Sequence, residues 1–141
     1  MTIKKEVNDL INSNAFDYIN VLDSTADAAW TRNEIIANNI ANATTPGYKR
    51  EDIDFETELK RALGDMKYTS LDSKVKNLRG TTIVGRTYVD SPNYSYRLDE
   101  NNVDIEQENV ELVSNQLKYQ GVIASLNSEF ANLKTAMSGG G

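Results

Sequence analysis

A heptad pattern near the N terminus constrains the fold of this chain more than any other feature. Over residues 15–43, apolar side chains recur in alternating steps of four and three, whereas a strand would alternate with a period of two. This spacing predicts a long helix that packs along one side. The turn Pro46-Gly47 ends it, and residues 12–14 offer candidate caps. The seam consists of Ala15, Ile19, Leu22, Ala26, Ala29, Asn33, Ile36, Ile40 and Ala43.

A second long helix is predicted over residues 105–137, with Asp104 as its N-cap or first-turn residue. Its apolar positions form two stripes, and the change of face falls near Gly121. One partner helix covers only one side, so this change indicates contact with more than one neighbour. The first stripe is Val110, Val113 and Leu117, and the second is Tyr119, Ile123, Leu126, Phe130, Leu133 and Met137.

The two predicted helices match in length, at about 29 and 33 residues or roughly 44 and 50 Å. Each carries a seam that must be buried, and pairing the two helices is the simplest solution. The sequence therefore predicts a mainly α fold in which the terminal helices pair as an antiparallel coiled coil. We expect residues 1–50 to hold the first helix and its exit turn, 51–102 an irregular insert containing short strands, and 103–141 the second helix.

The predicted insert lacks the helical rhythm, and glycines and a proline interrupt it. Residues 56–63 favour one short amphipathic helix. Residues 81–84 and 86–89 are typical of short strands. A further strand is indicated by the alternation of Tyr94, Tyr96 and Leu98.

Composition argues against most binding and catalytic classes. The chain has no cysteine and no histidine, which removes thiolate metal sites, the commonest metal ligand and the commonest general base at neutral pH. Its 15 basic and 21 acidic residues give a net charge of -6, and no segment offers a basic face for nucleic acid or anionic lipid. We also expect no membrane span and no cleavable secretory signal, because no apolar run is long enough.

Two segments resemble ligand-binding motifs, but each lacks residues that such a motif needs. Residues 80–87 have the spacing of a phosphate-binding loop, but Arg86 replaces its lysine and no helix pattern follows. Acidic residues cluster between Glu51 and Glu58, but they lack the glycine and terminal glutamate of a calcium loop and favour a solvated acidic face. The sequence thus predicts no catalytic, metal-binding or cofactor-binding residue.

Asn33 is the polar member of the first seam. An amide at such a position lowers stability but can fix helix register and partner number. The alternative is a solvent-facing or frayed position, and the sequence leaves both open.

Three short sequence segments resemble those of a known protein family. Asn39-Ile-Ala-Asn42 followed by Thr45-Pro-Gly-Tyr-Lys49, the run from Leu98 to Glu106, and Asn115-Gln-Leu-Lys-Tyr-Gln120 resemble the flagellar rod, hook and hook-associated axial proteins. The resemblance covers about residues 15–60 and 95–137. Glu100 stands where that family usually has glycine. The short chain fits a rod subunit, since hook and distal rod proteins are longer.

The resemblance implies a structural rod subunit of the flagellar basal body, not an enzyme. It implies self-assembly through the terminal helices in a helical array, export through the flagellar type III apparatus without a cleaved signal, and residence in the periplasm or the equivalent envelope space. The implied partners are other rod proteins and a ring-to-rod adaptor, with the export gate and membrane ring as further candidates. Neither nucleic acid nor a small-molecule substrate is implied.

The seams and the signature together give the expected assembly contacts. The alternative function is a soluble coiled-coil binding module, such as an export chaperone or adaptor, which would use the same seams on a foreign helix. An enzyme would have to rely on carboxylates such as Asp52 and Asp54. The expected contacts are Asn33, Ile36, Asn39, Ile40, Asn42, Pro46, Gly47, Tyr48, Leu117, Tyr119, Ile123, Leu126, Phe130 and Leu133.

Overall fold

Two long helices and a small insert make up the computed structural model, which describes residues 15–64, 69–79, 81–91, 93, 95 and 97–138. Both long helices end within two residues of their predicted bounds. None of the described helices has both the length and the apolar content needed to cross a bilayer. In chain order the elements are α1 (Ala15–Ala41), β1 (Glu51–Asp54), α2 (Glu56–Leu63), α3 (Leu71–Asn77), β2 (Arg86–Val89) and α4 (Ile105–Ser138).

Contacts between α1 and α4 confirm the predicted antiparallel pairing. The rings of Trp30 and Tyr119 lie with centroids 6.2 Å apart. Further along α1, the Asn39 amide donates to the Glu108 carboxylate, at 2.9 Å. Residue numbers thus rise along one helix as they fall along the other. The mainly α architecture with a small two-stranded insert is also as predicted.

The α1 seam is covered within the chain, whereas of the two stripes predicted on α4 only the second is partly covered, at Tyr119, Ile123, Leu126 and Leu133. Seam residues from Ile19 to Ala43 are all buried or half-buried. On α4 the first predicted stripe is exposed. Most buried and half-buried positions of α4 follow a second, partly polar heptad, and Glu111 and Ile123 lie beside it. This heptad consists of Glu108, Leu112, Asn115, Tyr119, Val122, Leu126, Glu129 and Leu133.

The start of α4 is capped as expected. Asp104 Oδ1 accepts hydrogen bonds from the backbone N–H groups of Glu106, at 2.9 Å, and Gln107, at 3.2 Å. These are two of the donors that the first turn of a helix leaves without a partner. The candidate caps of α1 at residues 12–14 lie outside the described residues.

The insert contains one strand that was not predicted and lacks one strand that was predicted. Residues 51–54, expected to form a solvated acidic face, form β1 and pair antiparallel with β2, with Ile53 opposite Thr87. Residues 81–84 form no strand, because Glu56 already begins α2 and leaves no extended partner for them. The predicted strand at residues 86–89 and the helix at 56–63 are confirmed, while α3 was not predicted. Tyr94 and Tyr96 lie outside the described residues, and Leu98 occupies an exposed turn.

A small apolar core holds the insert against α1. It forms from Ala28 of α1 together with Phe55, Leu78 and Ile83 of the insert. Gly85 allows this packing, since a Cβ at this position would lie 2.5 Å from Ile53 Cδ1. Residues 81–87 of the segment that resembles a phosphate-binding loop are therefore part of the packed insert.

An ion pair anchors the insert near the start of α1. The Arg79 guanidinium donates twice to the buried Asp17 carboxylate, with both distances 3.1 Å. Tyr18 donates to Asp72 of α3 at 2.6 Å. The insert is thus attached near the start of α1 by polar contacts as well as through the apolar core at Ala28.

Candidate functional site

The candidate site is the junction at which the chain leaves α1 and enters α4. We define the junction as residues 39–51 and 97–108, which include the N-terminal signature and the whole of the Leu98–Glu106 signature. Gly47 N donates to Asp99 O at 2.7 Å, and Asn101 Nδ2 donates to Thr45 O at 2.8 Å. The two stretches of sequence that carry the family resemblance therefore bind each other.

Asn101 caps the C-terminal end of α1. Its side chain is fully buried, and Nδ2 also donates to Asn42 O at 2.9 Å, while Oδ1 accepts from Val103 N at 2.8 Å. Arg97 adds a further donor, from Nη1 to Ala43 O at 3.0 Å. These carbonyls belong to the turn that follows α1, and backbone N–H groups already donate to those of Asn42 and Thr45. The side chains of Asn101 and Arg97 therefore add bonds that hold the exit turn of α1 against the entry to α4.

Two left-handed backbone positions shape the junction. Gly47 has a φ of 72°, which glycine adopts without a steric penalty. Glu100 has a φ of 62°, which an L-residue with a side chain adopts at a cost. This geometry explains why glycine suits the position of Glu100. Lys49 Nζ donates to the Glu100 carbonyl at 2.5 Å and so holds this turn against the exit of α1.

Asn39 lies at the centre of the junction with no solvent exposure. Its Nδ2 donates to Glu51 O at 2.8 Å and to Glu108 Oε2 at 2.9 Å. Its Oδ1 accepts from Glu51 N at 3.0 Å and from the Tyr48 hydroxyl at 3.2 Å. The amide thus makes four hydrogen bonds, its full capacity, and an aspartate or leucine could not replace it.

A buried ion pair joins the exit of α1 to α4. Arg50 Nε donates to Glu108 Oε1 at 2.5 Å, and Nη2 donates to Glu111 Oε2 at 2.5 Å. Asp52 and Asp90 also lie within ion-pair distance of the guanidinium. Burial by itself would lower the pKa of Arg50, but the hydrogen bond to Glu108 and the charges of Glu108, Glu111 and Asp52 outweigh burial and raise the pKa. Arg50 therefore stays charged.

Asn102 and the backbone of Arg50 connect the junction to the insert. Asn102 Oδ1 accepts from Arg50 N at 2.7 Å, and its Nδ2 donates to Asp90 O at 2.9 Å. Asp90 N in turn donates to Arg50 O at 2.8 Å. The end of β2, the exit of α1 and the entry to α4 are therefore held together by one hydrogen-bonded network.

A second polar contact lies midway along the helix pair. Asn115 Nδ2 donates to Ala29 O at 2.7 Å and to Asn33 Oδ1 at 2.9 Å, and Asn115 is buried. Asn33 is half-buried and hydrogen-bonded across the helices, so its position is neither solvent-facing nor frayed. Its role in fixing register stays a prediction.

Arg32, the residue before Asn33 in α1, links α1 to the start of α2. Its Nη1 and Nη2 donate to the two Glu56 carboxylate oxygens at 2.7 and 2.8 Å, and Nη2 also donates to Ile53 O at 2.6 Å. The hydrogen bond from Arg32 lowers the pKa of Glu56 from its usual 4.5 to about 2. The insert thus has a charged attachment to the helix pair in addition to its apolar core.

The structure separates the expected assembly contacts into two groups. Residues of the signature converge on the junction, where Asn39 is buried, and Ile36 is buried one helical turn before it on α1. Leu117 lies on the far side of α4. Asn33, Ile40, Asn42, Tyr48, Tyr119, Ile123, Leu126 and Leu133 are half-buried, and Pro46, Gly47, Leu117 and Phe130 are exposed. Contact of any of these residues with a neighbouring subunit remains a prediction.

Several residues that build the site are not predicted from the sequence. Their partners lie far away in sequence, so no short motif marks them. A heptad count on α4 that admitted polar residues would have identified two of them. The missed residues are Arg50, Arg97, Asn101, Glu108 and Asn115.

The chemistry available at the junction is structural. Among the described ranges, no group of three or more potential ligands is placed to hold a metal ion. Asp52, a carboxylate considered for catalysis, lies within ion-pair distance of Arg32 and Arg50. The arrangement fixes the angle at which the chain leaves one long helix and enters the other.

The chain is similar in sequence to known proteins of the bacterial flagellum. The model of a family described as "Flagella basal body rod protein" matches residues 19–49. Proteins named flagellar basal body rod protein FlgB are similar over most of the chain. The Bacillus subtilis (strain 168) protein is 32% identical over 119 residues, covering 84% of this chain and 92% of the relative. Those of Cereibacter sphaeroides (strain ATCC 17029 / ATH 2.4.9) and Salmonella typhimurium are 38% and 35% identical, each covering 77% of this chain and 84% of the relative.

Proposed function

Because this chain belongs to the FlgB family of flagellar basal body rod proteins, a family of structural proteins of the flagellum, we propose that it assembles into the rod through its two terminal helices. The observation that carries the proposal is the junction. The two signature segments that resemble rod and hook proteins bind each other there and set the geometry of the helix pair. Such a fixed geometry is what a repeating subunit needs to present the same surfaces to each neighbour.

The proposal assigns a task to each part of the chain. Residues 1–50 and 103–141 form the axial core, while residues 51–102 form an insert that stiffens it. Leu117 and Phe130 are exposed large apolar residues and are proposed to contact neighbours directly. Ile36 and Asn39 act inside the subunit by holding the helix pair in shape.

The proposed location and partners follow from the rod assignment. The subunit lies in the proximal rod, in the periplasm or the equivalent envelope space, after export through the flagellar type III apparatus. It links the membrane ring and export gate region to the rest of the rod. Its partners are further copies, other rod proteins and a ring-to-rod adaptor, and the proposal includes no catalytic step.

The alternative of a coiled-coil binding module has less support. Such a module would bind a foreign helix with the seams of both terminal helices. Here the α1 seam is covered within the chain, and Asn33 and Asn39 are bonded to α4. The rod assignment is therefore the better explanation of both the signatures and the packing.

Genetic complementation with a matched pair of variants tests the proposal. We expect deletion of the gene to abolish swimming and rod assembly, and the wild-type gene to restore both. Asn101→Ala should fail to restore them, because it removes a fully buried side chain whose hydrogen bonds to Asn42 O, Thr45 O and Val103 N join the exit of α1 to the entry of α4. The control Asn93→Ala alters an exposed position and should restore them. Normal swimming and complete basal bodies in the deletion strain would contradict the rod function.

A further inference from the structure

A small cavity lies where α1, α4 and the start of α2 meet, and we call it the three-helix cavity. Its volume is about 40 Å³, and residues of all three helices line it. One water molecule takes up about 30 Å³ in the liquid, so the cavity has room for about one. Glu56 and Lys118 are part of the lining and have exposed side chains, which gives solvent a way in.

Asn115 brings a buried acceptor to this cavity. The residue is 3% exposed, and its Oδ1 has no hydrogen-bond partner among the described residues. Its Nδ2 donates to Ala29 O and to Asn33 Oδ1. Because a backbone carbonyl only accepts, the bond to Ala29 O fixes the orientation of the amide, and the side chain cannot turn round to pair its oxygen. Buried polar groups of folded proteins are almost always hydrogen-bonded, either to the protein or to ordered water.

Arg32 brings a buried donor to the same cavity. Its two terminal nitrogens donate to Glu56 and to Ile53 O, but its Nε makes no hydrogen bond within the part of the chain that the structure describes. Asp52 Oδ1 lies 3.4 Å from Nε, which is ion-pair distance without hydrogen-bond geometry. The cavity is therefore lined by one residue whose buried acceptor lacks a donor and by one whose buried donor lacks an acceptor.

We propose that the three-helix cavity binds one internal water molecule, which accepts a hydrogen bond from Arg32 Nε and donates one to Asn115 Oδ1. A single water has both the acceptor and the donor that these two atoms need. The volume of the cavity matches this occupant.

The chemistry of the lining selects water over an ion. Arg32 and Lys118 repel a metal cation. An anion could accept from Arg32 Nε, but it has no hydrogen to donate to Asn115 Oδ1, and the Glu56 carboxylate repels it. The second hydrogen of a water has an acceptor in Thr25 Oγ1, which lines the cavity and uses its own hydrogen on a carbonyl of α1.

This water couples the insert to α4 midway along the helix pair. It links α4 to the Arg32 side chain, which is bonded to the insert through Glu56. The direct polar contact here, between Lys118 and Glu56 at 4.0 Å, is exposed and contributes little. The segment Asn115–Gln120, which shares the family resemblance but lies outside the junction, thereby gains a role. The inference concerns the subunit itself and does not depend on the rod function.

A crystal structure of the full-length chain, at a resolution that shows ordered water, tests the site directly. We expect a water oxygen about 2.9 Å from Arg32 Nε and about 2.8 Å from Asn115 Oδ1. A direct hydrogen bond between Arg32 Nε and Asp52, with no water against Asn115 Oδ1, would overturn the inference. An ion in the cavity would overturn it as well.

Val122→Ile provides a test in solution whose sign depends on the water. Val122 lines the cavity, so a larger side chain takes up the volume that the water needs. Displacing the water leaves Asn115 Oδ1 without a donor, and we expect the unfolding equilibrium constant in urea to rise about tenfold. Val110→Ile, the same change at a position that is 70% exposed, is the matched control and should alter the constant by less than about twofold.

The variant Asn115→Leu separates loss of the water from crowding. Leucine has no acceptor, so adding Val122→Ile to Asn115→Leu should raise the unfolding equilibrium constant by less than about twofold. An equal rise with and without Asn115→Leu would indicate crowding instead. A fall in the constant of Val122→Ile alone would show that the larger side chain fills a dry cavity. Either of these two results would overturn the inference.

Discussion

Replacing Glu108 with glutamine should destabilise the subunit by about 3 kcal/mol. Glu108 is fully buried and accepts hydrogen bonds from Arg50 Nε and Asn39 Nδ2. Glutamine has a single acceptor oxygen, so its amide NH₂ must face one of these two donors. Asn39 cannot turn its amide round to compensate, because both ends are bonded to the Glu51 backbone.

The magnitude follows from what remains around Arg50. Breaking a buried ion pair costs about 3 to 5 kcal/mol when the remaining charge has no other partner. Arg50 keeps Glu111, Asp52 and Asp90 within ion-pair distance, so we expect the lower end of this range. For a chain of this size, that corresponds to a fall in Tm of about 10 °C.

Urea unfolding followed by far-ultraviolet circular dichroism measures the effect. Glu106→Gln, an exposed acid-to-amide change in the first turn of α4, is the matched control and should change stability by less than about 0.5 kcal/mol. An unfolding free energy of Glu108→Gln equal to that of the control would refute the reasoning that the buried pair holds the junction.

Three further predictions concern other contacts. Glu100→Gly should stabilise the chain by about 1 kcal/mol in urea unfolding, because the left-handed backbone suits glycine, and a loss of stability would contradict this. The Arg32–Glu56 pair contributes stability above about pH 4.5 and loses it as the pH falls toward the Glu56 pKa of about 2. Wild type should thus exceed Glu56→Gln by about 1 kcal/mol at neutral pH, a small value because Glu56 is exposed, and the difference should vanish in acid. Leucine at both Asn33 and Asn115 should keep or raise stability while broadening spin-label distances between α1 and α4, and an unchanged distribution would show that the pair does not fix register.

The long helices could be predicted because their signal is local and repeated. The seam from Ile19 to Ala43 needs only regular spacing within one segment, and the cap at Asp104 needs only its neighbours. Tyr119, Leu126 and Leu133 of the facing heptad on α4 lie in the second predicted stripe, but the N-terminal part of this heptad was not predicted because Glu108 and Asn115 interrupt its apolar character. Their burial depends on partners that only the folded chain supplies.

The junction and part of the insert could not be predicted for the same reason. Arg50 and Glu108 are 58 residues apart, and neither is distinctive in its local sequence. The run of acidic residues in β1 led to the prediction of a solvated face, because the sequence shows their negative charge directly. The sequence does not show that Arg32 and Arg50 lie within ion-pair distance of Asp52. The family signatures marked the right segments but carried no information about which residues bind each other.

The central claim is that this subunit lies in the rod with its helix pair held by the junction. Cryo-electron microscopy of basal bodies purified from cells expressing this chain, at a resolution that separates helices, tests it most directly. We expect density in the rod near the membrane ring that fits the antiparallel α1–α4 pair, with residues 97–103 against the exit turn of α1. Complete rods without this chain, or a subunit whose two terminal helices lie apart, would contradict the account.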